Sequence, residues 1–459
     1  MRLSYLFACF LLLAFTACRK SEGVTTDSKA KLSFSTDTLL FDTVFTASGS
    51  TNKRIKVYNP NLKAVNVSDI KLSGGAGSYF SLIINGQPVN QKSNLQIEGR
   101  DSISIYVKVT INANNQTKPF IAQDSILFNT NGNKQSVALI AYGQNAIFIN
   151  NQTINSNTTW TSVLPYIIYK SVTIAPKAKL SILPGTKILF HGNSVMNIKG
   201  KLEANGTSAN PILFSGDRTE SIYAEEPGQW NGIHFYSSSS ASKLRYTVIK
   251  NAVIGITLDS LSTSSTPKLS LTNSIIKNMT IAGLVGYNTQ LDAFNNLFYN
   301  AGQYLMYGVA GGSYNLKQNT FAGYNATVAR KTPSVYFSNA GTERPPANLN
   351  ISIINNIIWG SLAEEFLIEK KANTTIDIDV KSNAIKTLLK TYEGNSNLLN
   401  TDPGFTDPIR YNFMLQNNSP LLNKGSDLSS DPAFDIFLNK DLNNELRAFP
   451  SELGCYENN

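Results

Sequence analysis

The residues that could catalyse a reaction on a polysaccharide are few and scattered along this chain. A glycoside hydrolase needs two carboxyl groups that converge on one bond, and a lyase needs a strong base with a cation that neutralises a uronate. Between Trp230 and Gly360 the acids are Asp259, Asp292 and Glu343. Relative to the repeat of this region, Asp259 and Asp292 belong to different faces of a coil. The spacing therefore predicts no carboxylate pair, and no catalytic residue is assigned.

Lysines and aromatic residues offer a binding chemistry instead. Lys250 and Lys277 occupy one position of the repeat, so that they stack, and with Trp230 they are the candidate contacts to an acidic glycan. Other rings lie on or beside the coils, and one or two of them are expected on a binding surface while the rest pack in the core. These rings are Phe235, Tyr236, Tyr287, Tyr304, Tyr307 and Trp359.

Bulk properties exclude several other functions. The formal charge is +9 without an arginine-rich run, so no nucleic-acid partner is predicted. His191 and His234 have no metal-ligand spacing, and we expect neither a metal nor a cofactor. The few cysteines argue against a disulfide framework. We expect a monomer.

The N-terminal residues predict an export signal. Leu3 to Ala14 is almost wholly apolar and has the length of a signal peptide rather than of a membrane span. The following Phe15-Thr16-Ala17-Cys18 resembles a bacterial lipobox, which implies removal of residues 1–17 and lipidation of Cys18. Residues 18–30 would form a tether, and the lipid would anchor the chain in the outer membrane of a bacterial envelope. Ordinary cleavage after Ala17 is the alternative, which fits less well because Phe15 is bulky.

Residues 31–145 predict a β-sandwich. Segments such as Ser102 to Val107 alternate apolar and polar residues, which is typical of strands with one buried face, and turn residues separate them. The order of these segments resembles the immunoglobulin-like domains of the HYDIN and major-sperm-protein group. The resemblance rests on Phe41–Val44, Val57–Asn59, Asp124–Phe128 and Ala138–Gly143. Such domains mostly act as spacers or interaction modules.

Residues 146–400 contain a repeat. Its blocks are Arg245–Asn251, Thr272–Asn278, Phe294–Asn300, Lys317–Gly323, Ile354–Gly360 and Lys381–Thr387. The third position of each block forms a column: Thr247, Ser274, Asn296, Asn319, Asn356 and Asn383. Because an apolar column follows two residues later, the pattern predicts a β-solenoid in which a structural asparagine ladder lines a bend. One offset of 37 residues predicts an insertion between Tyr324 and Asn348 that leaves the stack.

Upstream of the repeat, Pro184-Gly185-Thr186, Gly200 to Ala204, Pro211 to Phe214 and Trp230 to Ile233 resemble the opening coils of right-handed parallel β-helix proteins of the pectin-lyase-like superfamily. Residues 401–459 resemble the closing segment of bacterial envelope β-helix proteins. The resemblance implies an all-β chain in which a single-stranded right-handed parallel β-helix follows the sandwich.

These observations leave three functions open. We expect a non-catalytic envelope lipoprotein whose β-helix binds polysaccharide or another surface component. The first alternative is a polysaccharide lyase or glycoside hydrolase that acts on acidic glycans, because relatives of this fold include both. The second is an adhesin or scaffold that contacts proteins.

Overall fold

A computed structural model describes residues 23–46, 48–50, 52–324 and 329–458. The chain divides into two compact units, residues 1–145 and 146–459. Strands make up nearly all of the regular structure, as predicted. Within the described ranges no helix is long and apolar enough to cross a membrane. The predicted signal peptide and Cys18 lie outside the described residues.

The first unit consists of two five-stranded sheets that enclose one apolar core. Several strands alternate, as in Ser102–Val109, where Ile103, Ile105 and Val107 are buried and the residues between them face outwards. The first sheet contains, in spatial order, Ser33–Phe34, Lys53–Tyr58, Ser102–Val109, Phe80–Ile84 and Gln87–Pro88. The second contains Thr38–Phe45, Asn133–Gln144, Phe120–Thr130, Val65–Leu72 and Gln91–Ile97. A single turn of 3₁₀ helix covers Gly75–Gly77.

The second unit is a solenoid of 25 strands joined through parallel pairing. Each strand pairs with the equivalent strand of the next coil, so that three faces are built in parallel; this arrangement is compatible with a β-helix. The first face contains Thr158–Trp160, Lys179–Ile182, Lys201–Asn205, Ser242–Arg245, Leu269–Thr272, the second halves of Ala282–Phe294 and Tyr304–Lys317, Leu349–Ile354 and Ile376–Lys381.

The other two faces follow the same scheme. The second contains the first halves of Ile147–Ile154 and Tyr166–Ile174, then Lys187–Phe190, Ile212–Gly216, Thr247–Lys250, Ile275–Met279, Leu297–Ala301, Thr320–Gly323, Ile357–Gly360, Ala384–Ile385 and Leu398–Leu399. The third contains the second halves of Ile147–Ile154 and Tyr166–Ile174, then Val195–Ile198, Ile233–Phe235, Ile254–Asp259, the first halves of Ala282–Phe294 and Tyr304–Lys317, Val335–Ser338 and Phe366–Glu369.

Apolar columns fill the interior of the solenoid. Ile249, Ile276, Phe298, Phe321 and Ile358 are paired in register from coil to coil, and all are almost completely buried. Burial of each such side chain contributes about 1.5–3 kcal/mol relative to exposure. The repeating apolar position therefore supplies the main force that stacks the coils.

The asparagine column lies at the bend between the first and second faces. Asn296 Nδ2 donates to Asn319 Oδ1 at 2.9 Å, Asn319 Nδ2 donates to Asn356 Oδ1 at 2.9 Å, and Asn356 Nδ2 donates to Asn383 Oδ1 at 3.1 Å. The same amides also donate to backbone carbonyls, as Asn319 Nδ2 does to Ala293 O at 2.8 Å. The buried polar groups of each coil thus have hydrogen-bond partners on the neighbouring coil.

The segment between Tyr324 and Asn348 was expected to leave the stack, and this expectation is only partly correct. Val335–Ser338 is a strand of the third face, paired with residues 306–308 before it and with Phe366–Glu369 after it. Its buried Val335 and Phe337 continue the apolar columns of that face. The connection that follows, residues 339–348, departs from the coil.

Residues 401–458 lie along the outer side of the second face. Phe405, Phe413, Leu421 and Leu453 form one apolar cluster with residues of that face, including Ile357. Asparagines at the bend also donate to this segment, as Asn355 Nδ2 does to Ser426 O at 2.9 Å. The regular elements of this segment and the turn before it are Lys390–Tyr392, Phe405–Asp407, Pro408–Arg410, Asn412–Leu415 and Phe434–Leu438.

Candidate functional site

Trp230 was a candidate glycan contact, and the structure shows that this interpretation is wrong. Its side chain is fully buried, and its ring stacks on Phe190 with 3.9 Å between ring centroids. Its indole Nε1 donates to the carbonyl of Lys250 at 2.9 Å. The ring therefore belongs to the interior, because no part of it reaches solvent.

Lys250 and Lys277 occupy adjacent coils in register, as their repeat position predicted. Both amines contact one carboxylate, since Glu225 receives Lys250 Nζ at 2.8 Å and Lys277 Nζ at 2.7 Å. Although burial opposes ionisation, the hydrogen bonds from the two lysines hold the pKa of Glu225 below its usual value. The lysine side chains are only 17% and 19% exposed. They fasten a connecting segment to the coil and do not present a free cationic pair.

The outer side of the third face carries a different group of residues, which we call the tyrosine surface. Its rings are Tyr236, Tyr287, Tyr304, Tyr307 and Tyr336, and its charged groups are His234, Asp259, Arg344, Glu369 and Lys371. Those on strands project outwards from successive coils, because residues two apart on a strand share a face. Tyr236, Arg344 and Lys371 lie in the connections that follow strands. Asp259, for example, pairs with Tyr287, and Tyr307 with Tyr336.

Three tyrosines pack against one another in the upper part of this surface. The ring centroids of Tyr304 and Tyr307 are 4.5 Å apart, and those of Tyr307 and Tyr336 are 5.3 Å apart and nearly parallel. Tyr304 and Tyr307 are half-buried, so that each keeps part of its ring in contact with solvent. Burial raises the pKa of the phenols of Tyr304, Tyr307 and Tyr336 above the ordinary value. All three therefore remain neutral hydroxyl groups in the physiological range.

Charged groups at the edge of the stack fix its orientation. Tyr336 donates its hydroxyl proton to Glu369 Oε2 at 2.5 Å and accepts from Lys371 Nζ at 2.9 Å. Lys371 also pairs with Glu369 at 2.7 Å, and these hydrogen bonds hold the pKa of the carboxyl below its usual value. Because its neighbours constrain the hydroxyl of Tyr336, the ring of Tyr336 is held in a fixed orientation.

A second polar group lies lower on the same surface. His234 Nε2 contacts Asp259 Oδ2 at 2.8 Å, and Arg344 donates to Asp259 Oδ1 at 2.7 Å. The guanidinium of Arg344 is 4.5 Å from the ring centroid of Tyr287, and the imidazole of His234 stacks on Tyr236 at 4.1 Å. Arg344 comes from the connection after Val335–Ser338, which folds back over coils that precede it in the chain.

The acids of the tyrosine surface do not form a hydrolytic pair. Asp259 and Glu369 occupy the same outward column, four coils apart, which corresponds to about 19 Å at about 4.8 Å per strand. The carboxyl groups of glycoside hydrolases are about 5–10 Å apart. Asp292 lies on the first face, separate from Asp259, as predicted. Among the described residues, this surface offers stacking and hydrogen bonding rather than paired-acid catalysis.

Sequence reasoning located part of the surface. Tyr236, Tyr287, Tyr304 and Tyr307 were among the rings considered, but Tyr336, Arg344, Glu369 and Lys371 were not. The sequence signal that could have revealed the surface is the outward-facing position of the third face. Thr257, Val285, Tyr307 and Tyr336 occupy this position in successive coils. It was missed because the strand containing Tyr336 was assigned to an insertion.

Comparisons with known proteins add little to this picture. No protein-family model matches the chain, and no curated protein matches it. Over 95% of its length the chain is similar to 90% of XylC, solved in complex with xylose, at 9% identity and a TM-score of 0.33. Over 26% of its length it is similar to 30% of a family 123 glycoside hydrolase from Clostridium perfringens, at 14% identity and a TM-score of 0.19.

A third similarity covers 28% of the chain and 95% of a PapD-like domain of human CEP192, at 9% identity and a TM-score of 0.18. The chain thus spans less than a third of the length of the glycoside hydrolase. With TM-scores this low, these similarities carry no argument about function.

Proposed function

We propose that this protein is a lipid-anchored component of a bacterial cell envelope whose solenoid binds polysaccharide through the tyrosine surface without catalysing a reaction. The lipobox-like sequence around Cys18 supports the anchor in the outer membrane. The low charged fraction and the arrangement of half-buried rings support a polar, uncharged or weakly charged ligand. The partners are then the membrane, through the lipid, and a glycan.

The finer architecture belongs to the same proposal. Three parallel faces, an asparagine ladder at one bend and the opening motifs around Gly185 and Gly200 favour a right-handed parallel β-helix of the pectin-lyase-like superfamily. Two facing five-stranded sheets and the motifs around Phe41 and Tyr142 favour an immunoglobulin-like domain of the HYDIN and major-sperm-protein group. In this role the sandwich would serve as a spacer between anchor and solenoid.

The observation that carries the proposal is the stack of Tyr304, Tyr307 and Tyr336. Sugars bind through the apolar C–H face of the ring, which packs on an aromatic ring, and through hydroxyls that need nearby donors and acceptors. The half-buried rings of Tyr304 and Tyr307 provide the aromatic packing surface. Glu369 and Lys371 provide the hydrogen-bond acceptor and donor. The rings are already held in place, so little conformational entropy is lost on binding.

One observation favours a second candidate, a polysaccharide lyase. An imidazole held by a carboxylate can accept a proton, and His234 contacts Asp259 in this way at 2.8 Å. Arg344 adjoins the pair and could neutralise a uronate. In the present geometry Arg344 is bound to Asp259, which favours binding over catalysis.

A glycan array with the purified protein, run beside assays for unsaturated and reducing-end products, separates the two candidates. We expect saturable binding to a glycan, no new product, and a signal that falls strongly in Tyr307→Ala. A matched variant, Tyr106→Ala in the sandwich, should bind normally. Product formation that disappears in His234→Ala would support the lyase, and an array without any bound glycan would contradict the proposal.

A further inference from the structure

The last coil of the solenoid is closed by the chain itself on two of its three faces. Leu398–Leu399 pairs with Ala384–Ile385 and continues the second face. At the end of the third face the ring of Tyr392 packs on Phe366, with 4.9 Å between ring centroids. Within the described ranges, no further strand pairs with Ile376–Lys381 on the first face. The first face therefore ends in a strand with one open edge.

This strand presents backbone groups that point away from the solenoid. Leu349 of the preceding coil donates its N–H to Thr375 O at 3.0 Å, which sets the register of the parallel ladder. In such a ladder alternate residues bond to the same neighbour. Ile376 and Ile378 therefore direct their N–H and C=O groups outwards, and among the described residues these groups have no partner. We call residues 376–379 the open edge.

The side chain of Ile378 shows that a neighbouring strand would fit here. It occupies the inward column of the first face, in register with Tyr314 and Ile351 of the two preceding coils. Ile351 is 3% exposed because the next coil covers it, whereas Ile378 is 44% exposed. An added strand would bury this side chain and pair the backbone groups beside it. Proteins that bind extended peptides at a sheet edge use the same two contributions.

Two carboxylates flank the exposed isoleucine on the outer side of the strand. Asp377 and Asp379 are exposed, and their register partners on the preceding coil are the uncharged Asn350 and Ser352. Asp379 contacts Lys381 at 3.1 Å, but both side chains remain largely in contact with solvent. Residues that lie opposite each other on neighbouring strands project to the same side, where opposite charges attract and like charges repel. The open edge therefore favours a strand with cationic outward side chains.

The same carboxylates disfavour a second copy of this chain as the occupant. An antiparallel pairing of two open edges centred on Asp377, Ile378 or Asp379 sets carboxylates of the two copies directly opposite each other. Registers displaced further along the strand are blocked, because Val380 O already accepts from Asn397 Nδ2 at 2.9 Å. Charge complementarity thus selects a basic partner over self-association.

We propose that the open edge binds an extended segment of a partner protein, which adds a strand to the first face. Apolar side chains of this segment would lie beside Ile376 and Ile378. Its lysine or arginine side chains would lie opposite Asp377 and Asp379. The site is separate from the tyrosine surface, so the inference goes beyond the proposed glycan binding and does not depend on it.

Fluorescence anisotropy of a labelled synthetic peptide, titrated with the purified protein, tests this inference. The probe is a short peptide in which lysine alternates with valine, and the control peptide has the same residues arranged in two blocks. Ile378→Pro removes a backbone donor of the open edge. Because that N–H points away from the preceding coil, the bonds to that coil remain and the variant should fold.

A second variant tests the charges. Asp377→Lys/Asp379→Lys reverses the charge of the open edge, and its matched control is Glu98→Lys/Asp101→Lys at exposed positions of the sandwich. Thermal unfolding verifies that each variant folds.

We expect saturable binding of the alternating peptide and at least about tenfold weaker binding of the block peptide. Affinity for the alternating peptide should fall at least about tenfold in Ile378→Pro and in Asp377→Lys/Asp379→Lys, and it should not change in the sandwich control. The charge-reversed variant should instead bind a peptide in which glutamate alternates with valine.

Three results would overturn the inference: no saturable binding of the alternating peptide, equal affinity for the block peptide, or full affinity in the folded Ile378→Pro variant. Sedimentation velocity adds another, since dimerisation of the wild type that Ile378→Pro abolishes would assign the open edge to a second copy. Each of these results would leave the proposed glycan binding intact.

Discussion

Burial decides what the aromatic residues of this chain do. Trp230 and Phe190 stack inside the solenoid, whereas Tyr304 and Tyr307 stack on its outer side and keep part of each ring exposed. Both pairs consist of large apolar rings in contact. Only the exposed pair can exchange its contact with water for a contact with a ligand.

Trp230→Ala should destabilise the protein without acting on a ligand directly. Loss of this fully buried ring leaves a cavity against Phe190 and removes the hydrogen bond to Lys250 O, at a cost of about 3–5 kcal/mol. Urea unfolding measures the change, and Trp230→Phe should lose less because it keeps a ring. If Trp230→Ala kept full stability and lost glycan binding, the assignment of this residue to the core would fail.

At the scale of elements, adjacent coils are held together by the asparagine column and by residues 401–458, which we call the covering segment. The column satisfies buried donors from coil to coil, and the asparagines just before it donate to residues 426–441 of the covering segment. The bend between the first and second faces thus takes part in two interfaces, one between adjacent coils and one with the covering segment. Each can be tested through one side chain.

Asn319→Ala should interrupt the ladder. The backbone N–H of Asn296 would lose its acceptor, and Asn296 Nδ2 would lose one of its two acceptors. The Oδ1 of Asn356 would lose one of its two donors, because the backbone N–H of residue 319 remains. Unpaired buried polar groups cost about 1–3 kcal/mol each, so we expect a loss of at least about 2 kcal/mol in the free energy of unfolding. Asn350→Ala, an exposed position on the first face, is the control and should change stability by less than about 0.5 kcal/mol. Equal effects of the two variants would show that the ladder is not stabilising.

Glu457 should make the stability of the covering segment depend on pH. Burial and a hydrogen bond with Glu452 raise the pKa of its carboxyl to about 8, against 4.5 in an unfolded chain. Between these values the folded state holds a proton that the unfolded state has released, so this stabilisation is complete below about pH 4.5 and lost as pH rises to about 8.

Thermal unfolding from pH 4.5 to 8 measures this dependence. The melting temperature of Glu457→Gln should fall less with rising pH than that of the wild type, because a neutral amide replaces the titrating acid. The control is Glu393→Gln, which removes an exposed carboxylate outside the covering segment. If the melting temperature of Glu457→Gln fell with rising pH as steeply as that of the wild type, the raised pKa of Glu457 would be contradicted.

For the whole molecule, residue patterns predicted the all-β architecture, the stacked coils and the position of the asparagine column. They succeeded because most coils of the repeat have the same local pattern over about 22–27 residues. The outer surface of the solenoid was harder to predict because it depends on irregular connections. Arg344 contacts Asp259 across 85 residues, and Glu225 reaches Lys250 from a segment outside the repeat. Contacts of this kind do not recur at a fixed spacing in the sequence, so the repeat does not predict them.

The envelope anchor makes its own prediction. Cys18→Ser should move the protein from the membrane fraction to the soluble fraction and abolish labelling by a radioactive fatty acid, because position 18 then has no thiol to carry the lipid. Cys455→Ser, which alters a buried thiol of the solenoid, should leave both readouts unchanged. Membrane attachment that persists in Cys18→Ser would contradict lipidation at this residue.

Isothermal titration calorimetry of the strongest array glycan against the double variant Tyr304→Ala/Tyr307→Ala tests the central claim most directly. We predict at least a tenfold loss of affinity, about 1.4 kcal/mol, and a change of less than about twofold in the control Tyr106→Ala/Tyr142→Ala, whose tyrosines are exposed on the sandwich. Equal affinity of the folded double variant and the wild type would contradict binding through the tyrosine surface.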